Sequence, residues 1–178
     1  PSVWHHELIA AHAAGIPLFG ASSMGALRAA ELPGIVTPIG EIATRFARGT
    51  WNDDAAVALL HGDEASGFRA LSLPWVNVWA TAEAGARARV LTRRQAAEVC
   101  AVAEGLFYQS RTWPRVLAAL GWPSARRDAL ASFVRASAVD LKAEDARAAL
   151  RHVARARPRP SAARASRPLS SAITASAW

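Results

Sequence analysis

Two adjacent serines, Ser22 and Ser23, stand between Gly20 and Gly25, after the short apolar run 16–19 and before the helix-compatible run 24–32. A strand-to-helix turn of this kind can hold a hydroxyl against the positive end of a helix. Three chemistries fit. Either serine can be a nucleophile on a strained elbow, with backbone N–H groups at the helix start as oxyanion donors. The pattern G-x-S-x-G is not met as written: Gly20-Ala21-Ser22 supplies its first half and Ser23-Met24-Gly25 its second, one residue out of step. Alternatively, the N–H groups near residues 23–26 can bind a carboxylate or phosphate. The plainest reading is an ordinary helix N-cap, at which serine is among the best residues.

Other polar groups are judged by what they can bring to that turn. His5, His6, Glu7 and His12 share the segment before it, and His5 is a candidate base or orienting group. Arg28 and Glu31, three apart on the following helix, suit either a surface ion pair or the binding of a carboxylate. Asp53, Asp54 and His61 form a third set. Asp54 and His61 are seven residues apart, about two turns, and share a face if that segment is helical. No metal is expected: H-E-x-x-H is lacking, Cys100 has no CxxC partner, and His6 and His12 fall on different helical faces. Trp4, Trp51, Trp75 and Trp79 give more aromatic surface than a small core needs, and Trp51 beside Asn52 suits an interface anchor as well as a core position.

The elements that must carry these groups follow from punctuation and period. Ser2 reads as the N-cap of a first helix that Gly15 closes. Residues 16–19 read as a central strand, and a helix over 24–32 ends before Pro33-Gly34. Pro38 is placed to open the next helix, whose apolar face is Ile39, Ile42, Ala43 and Phe46. Asn52, Asp53 and Asp54 cap a short helix that runs into His61-Gly62. The alternating, branched and aromatic stretch 71–79 (LSLPWVNVW) reads as a second strand. Thr81 and Thr92 read as caps, the latter of a long helix through Tyr108. Two short helices follow, through Leu120 and Val134, and then an amphipathic helix over 141–153. The α-turn-β-turn-α rhythm predicts an α/β fold, a parallel sheet flanked by helices, with a helical C-terminal portion. Two strands are few for a covered sheet, and Pro1 is not a start methionine. Residues 1–150 are therefore taken as a domain truncated at its N-terminus, and the Arg/Pro/Ser/Ala-rich stretch 151–178 as a disordered tail.

Composition narrows the class. The net charge is +7, but residues 151–178 hold six arginines and no acid, leaving fifteen basic against fourteen acidic groups elsewhere. The body is near neutral, which disfavours a nucleic-acid surface; a basic tail binds polyanions only weakly. No run reaches the roughly 20 apolar residues that span a bilayer. A single cysteine excludes an internal disulfide and suits the cytoplasm.

Five boxes occur in order: SVWHHEL at 2–8, FGASSMGALRAAEL at 19–32, GEI at 40–42, DD at 53–54 with VALLH at 57–61, and P-x-V-N-V at 74–78. Over about residues 2–107 this order and spacing resembles the TfuA-like family. The resemblance implies an accessory protein working with a YcaO protein, an enzyme that activates a peptide-backbone amide with ATP so that sulfur replaces oxygen. The implied task is to engage a thiocarboxylated, ubiquitin-like sulfur-carrier protein and release sulfide, with the peptide substrate held by YcaO and no cofactor of the chain's own. Carried over box by box, it points to Trp4, His5, Glu7, Ser22, Ser23, Arg28, Glu31, Asp53, Asp54 and His61. Relatives continue the acidic box with a glutamate where this chain has Ala56, and the upstream strand-and-glycine segment of the family does not precede Pro1 here. A non-catalytic module docking on YcaO and a free-standing serine hydrolase are the alternative readings.

Overall fold

The structure, a computed structural model, describes residues 3–156. Helix α1 (His5–Ala13) leads through Gly15 into strand β1 (Leu18–Gly20), helix α2 (Met24–Glu31) and strand β2 (Val36–Pro38). The two strands pair in parallel, with Leu18 opposite Val36 and Gly20 opposite Pro38, so β1-α2-β2 is a crossover unit. The Ile39 N–H extends the ladder by donating to the Gly20 carbonyl at 2.8 Å. Helices α3 (Gly40–Ala47), α4 (Trp75–Arg87), α5 (Arg93–Glu104), α6 (Trp113–Ala119), α7 (Ser124–Ser137) and α8 (Leu141–Arg155) complete the fold, with single 3₁₀ turns at Asp54–Ala56, Glu64–Ser66 and Tyr108–Ser110. This is an α/β fold: a small parallel sheet flanked by helices, with a helical C-terminal portion. No described helix is long and apolar enough to cross a membrane.

Helix α4 is the axis of the packing. Val76 and Ala80 face a core built with Ala26, Leu27, Ile42, Phe46 and Leu141, which holds the sheet unit together. Val78 and Ala82 face a second core built with Leu91, Val99, Val116, Leu120 and Leu130, from α5–α7 and the segments that join them. Burial on both sides explains why residues 71–79 do not form the expected strand. A helix apolar nearly all round loses its 3.6-residue signature, and a short stretch of it reads as alternation. Pro74, with its fixed φ and missing N–H, precedes the first helical residue, Trp75, rather than interrupting a ladder.

Three more expectations are corrected. Pro38 ends β2 instead of opening α3, because Gly40 takes φ +88 there. A Cβ at Gly40 would sit 2.3 Å from the carboxyl carbon of Asp145, whose oxygens accept the Glu41 and Ile42 N–H groups at 3.0 and 2.8 Å. Helix α3 is thus capped from α8, 104 residues away, and needs no capping side chain of its own. Thr81 is not a cap: it lies inside α4, 1 % exposed, donating to the Asn77 carbonyl and accepting the Val139 N–H. Thr92 does cap α5, in a box with Gln95, but that helix stops at Glu104. The proposed Ser2 cap and residues 157–178 lie outside the described residues; α8 itself runs to Arg155.

Candidate functional site

The serine turn is built by a close approach of strand and helix. A Cβ on Gly20 would lie 2.1 Å from the Gly25 carbonyl oxygen and 2.9 Å from the Ala29 Cβ, so only glycine allows β1 to run this near α2. The chain then reverses sharply. Ser22 takes φ +66, left-handed and rare for a residue with a side chain, and the Ser23 N–H donates back to the Ala21 carbonyl at 2.7 Å. The two hydroxyls have different fates. That of Ser22 donates to the Lys142 carbonyl at the start of α8, at 2.8 Å. Ser23 is the residue preceding α2, yet its side chain makes no capping hydrogen bond. It is left open to chemistry at the end of the helix that carries the positive partial charge.

Toward the far end of α2, Arg28 and Glu31 meet His5. The Glu31 carboxylate accepts from Arg28, and His5 Nε2 lies 2.8 Å from the same Glu31 oxygen. Arg28 also donates from Nε to the Val3 carbonyl at 3.2 Å, tying the chain before α1 to α2. Partial burial pulls the Glu31 carboxyl upward, but the hydrogen bonds from Arg28 and His5 outweigh it and hold it below the usual carboxylate range. A carboxylate fixing one imidazole nitrogen is the arrangement that orients a histidine base. Glu7 serves α1 itself, its carboxylate accepting the Trp4 N–H at 3.1 Å. Trp4 is 68 % exposed, its ring stacked on His6. Helix α1 buries none of its residues, so this pair and the Val3–Arg28 bond do much to seat it.

Arg28 stands between two hollows. One, of about 140 Å³, is formed with Gly20, Met24, Gly25 and apolar residues of α1 and the sheet. The other, of about 400 Å³, it shares with Glu31, Trp51, Asn52 and Asp54. The structure therefore brings Asp54 to the cleft of Arg28 and Glu31. Asp53 points elsewhere: its carboxylate accepts the Ala55 N–H at 2.9 Å, and it lines a separate cleft. His61 does not share a helical face with Asp54, because only residues 54–56 form a helical turn. Its ring packs on Phe68, Nδ1 lies 3.0 Å from the Gly62 carbonyl oxygen, and its strand-like bridge is to Ala70. None of these contacts reaches the serine turn.

Helix α8 supplies what the sequence reading missed. Lys142 joins three segments: its carbonyl holds Ser22, its N–H donates to Asn77 Oδ1 at 3.1 Å, and its ammonium donates to the Val57 carbonyl at 2.7 Å. Burial pushes that ammonium below the usual lysine range, against the pull of Asp140. A signal was present: Lys142 is the only lysine among 21 basic residues, and a compact ammonium fits a tight carbonyl contact that a guanidinium fork does not. Arg111, 3 % exposed, likewise pins the end of α5 by donating to the carbonyls of Ala103, Leu106 and Leu73.

No curated protein sequence matches the chain significantly. The family model described as TfuA-like protein, however, matches residues 1–112, from before α1 to the end of the segment that Arg111 anchors. That span includes the serine turn, the His5–Glu31–Arg28 cluster and the acidic pair, and the chain belongs to the TfuA-like protein family.

Proposed function

We propose that this protein is an accessory factor in peptide-backbone thioamidation, releasing sulfide from a thiocarboxylated sulfur-carrier protein for a YcaO partner. The observation that carries the reading is the strained turn that leaves the Ser23 hydroxyl uncapped at the start of α2, with Arg28 more than one turn further along the helix and tied there to the Glu31–His5 pair at its far end. The chemistry needs few parts. The Ser23 oxygen adds to the acyl carbon of the thiocarboxylate, the C–S bond breaks, and the serine proton leaves on the departing sulfide. Water then hydrolyses the acyl-serine, giving a carboxylate and returning a proton to the hydroxyl. The N–H groups at the start of α2 stabilise the oxyanion, and Arg28, held in place by Glu31 and His5, attracts the anionic thiocarboxylate. Ser22 holds the elbow in shape, and Asp54 borders the cleft through which the carrier's terminus enters.

The buried thiol favours direct hydrolysis over a persulfide relay. Burial, with Glu83 and Glu104 adding to it, pushes the Cys100 thiol up to about 12, so it is not a nucleophile at neutral pH. A second reading, a non-catalytic module that docks on and activates YcaO, is favoured by the exposed Val3, Trp4 and Met24 around the turn.

The test is sulfide release from a thiocarboxylated carrier, followed beside thioamide formation in a YcaO reaction. Ser23→Ala is expected to abolish release. If Ser22→Ala and Ser23→Ala both release sulfide at the parent rate, the nucleophile is lost as an idea. If release fails to occur in the parent while YcaO is still stimulated, docking is the function.

A further inference from the structure

A second cleft lies behind the acidic pair and has no part in the chemistry above. It measures about 770 Å³, the size of a ligand site, and is lined by Trp51, Trp75 and the loop Gly105, Leu106, Phe107 and Tyr108. Its charge is net acidic, two carboxylates against one guanidinium, Arg111, that lies within electrostatic reach of both. Asp53 and Glu104 are both exposed and both line it. The cation present, Arg111, is nearly fully buried and spends its guanidinium on three backbone carbonyls. Phe107 is 64 % exposed, its ring packed on Tyr108 with centroids 4.8 Å apart. Carboxylates among aromatic faces form a receptor for a cationic side chain. The fold already uses Trp51 in this way, with the Arg45 guanidinium 5.1 Å from its ring centre and 4.3 Å from that of Trp79.

The cleft also has a neighbour. Trp51 and Asn52 line both this cleft and the one that contains Arg28, Glu31 and Asp54, so the two hollows adjoin along a shared wall. From these features we infer that the 770 Å³ cleft binds an extended, basic polypeptide segment of a partner protein, an arginine or lysine side chain seated between Phe107 and the carboxylates of Asp53 and Glu104. The segment then passes the Trp51–Asn52 wall toward the serine turn. The aromatic walls supply the affinity and the two carboxylates the selectivity, which makes binding sensitive to salt.

The test uses the full chain and blocked hexapeptides carrying a central arginine, glutamate or norleucine, with binding read by calorimetry and by the indole N–H resonances of Trp51 and Trp75. Only the arginine peptide is expected to bind while shifting both indoles. Asp53→Asn and Glu104→Gln are each expected to weaken it about tenfold, the size of one charge-assisted contact. Asparagine keeps the turn capped at position 53, so a folding defect does not explain such a loss. Equal binding of the glutamate or norleucine peptide overturns the inference, as does binding that leaves both indoles unmoved. If the arginine peptide binds only after residues 157–178 are deleted, the chain's own arginine-rich end fills the cleft and the partner is internal, which also overturns it. No sulfur chemistry enters the measurement, so it stands or falls apart from the activity of Ser23.

Discussion

The Ser22 hydroxyl donates to the Lys142 carbonyl at 2.8 Å, joining residues 120 apart in the chain. Through it the turn at the start of α2 is held by the start of α8, and the Lys142 ammonium extends the same junction to Val57. Ser22→Ala keeps the left-handed backbone and loses the bond, while Ser22→Gly loses the bond and relieves the strain. Urea unfolding is expected to show the alanine variant destabilised by about 1–2 kcal/mol and the glycine variant by less, since glycine adopts that φ freely. Lys142→Met should cost a further bond of similar size and raise hydrogen exchange at residues 55–57. Parent stability in Ser22→Ala would remove the latch from the account.

Gly20 is the tightest point of the site. A Cβ there meets backbone, the Gly25 carbonyl oxygen at 2.1 Å, and backbone cannot yield as a side-chain tip does. Gly20→Ala is expected to cost at least about 3 kcal/mol and to loosen α2 from the sheet. Gly34→Ala provides the contrast: its φ is +81 but nothing lies within 4 Å of the added atom. Only the left-handed strain applies there, about 1 kcal/mol. Chemical denaturation of both variants distinguishes crowding from backbone strain.

The Glu31 carboxyl sits below its ordinary value because Arg28 and His5 hydrogen-bond to its charged form. A depressed carboxyl contributes stability that is complete above the ordinary value of 4.5 and is lost as pH falls through the folded one. Helix α1 has no fully buried residue and leans on this contact. Its amide protection is therefore expected to fall below pH 4.5 before that of α4, and Glu31→Gln should lower it already at neutral pH and remove its dependence on pH. Equal acid sensitivity of α1 and α4 by hydrogen exchange would show that the cluster does not seat the helix.

Cys100 provides a test at the alkaline end. Its thiol is raised from 9.0 to about 12, so the folded chain keeps a proton that the unfolded chain gives up between those values. Stability is full below pH 9 and falls as pH rises toward 12. Cys100→Ala should show a flatter decline of melting temperature across that range. It should also release sulfide from the carrier at the parent rate at neutral pH, whereas a persulfide route would be abolished by the substitution.

The site was legible where its parts are local. Gly20, the two serines, Gly25, Arg28 and Glu31 lie within one strand-turn-helix, whose geometry is set by glycine freedom and helical period. The α1–β1–α2 order and the Thr92 cap could be read for the same reason. The sequence pattern points to a second strand at 71–79 rather than at Val36–Pro38, since three residues ending in proline give no periodic signal, while a helix buried on both sides imitates alternation. Likewise Asp54 and His61 were linked through a helix that stops after Ala56.

The sequence by itself therefore determined the family, the serine turn and its neighbours on α2, because these depend on residue type and short spacing. Only the tertiary structure decided which serine is tethered, that Asp145 caps α3 and leaves no alternative to Gly40, and that Lys142 binds three segments. Those contacts join residues some 65 to 120 apart, and no local preference encodes such pairings. They form only when two cores packed on opposite sides of α4 bring the start of α8 against the turn.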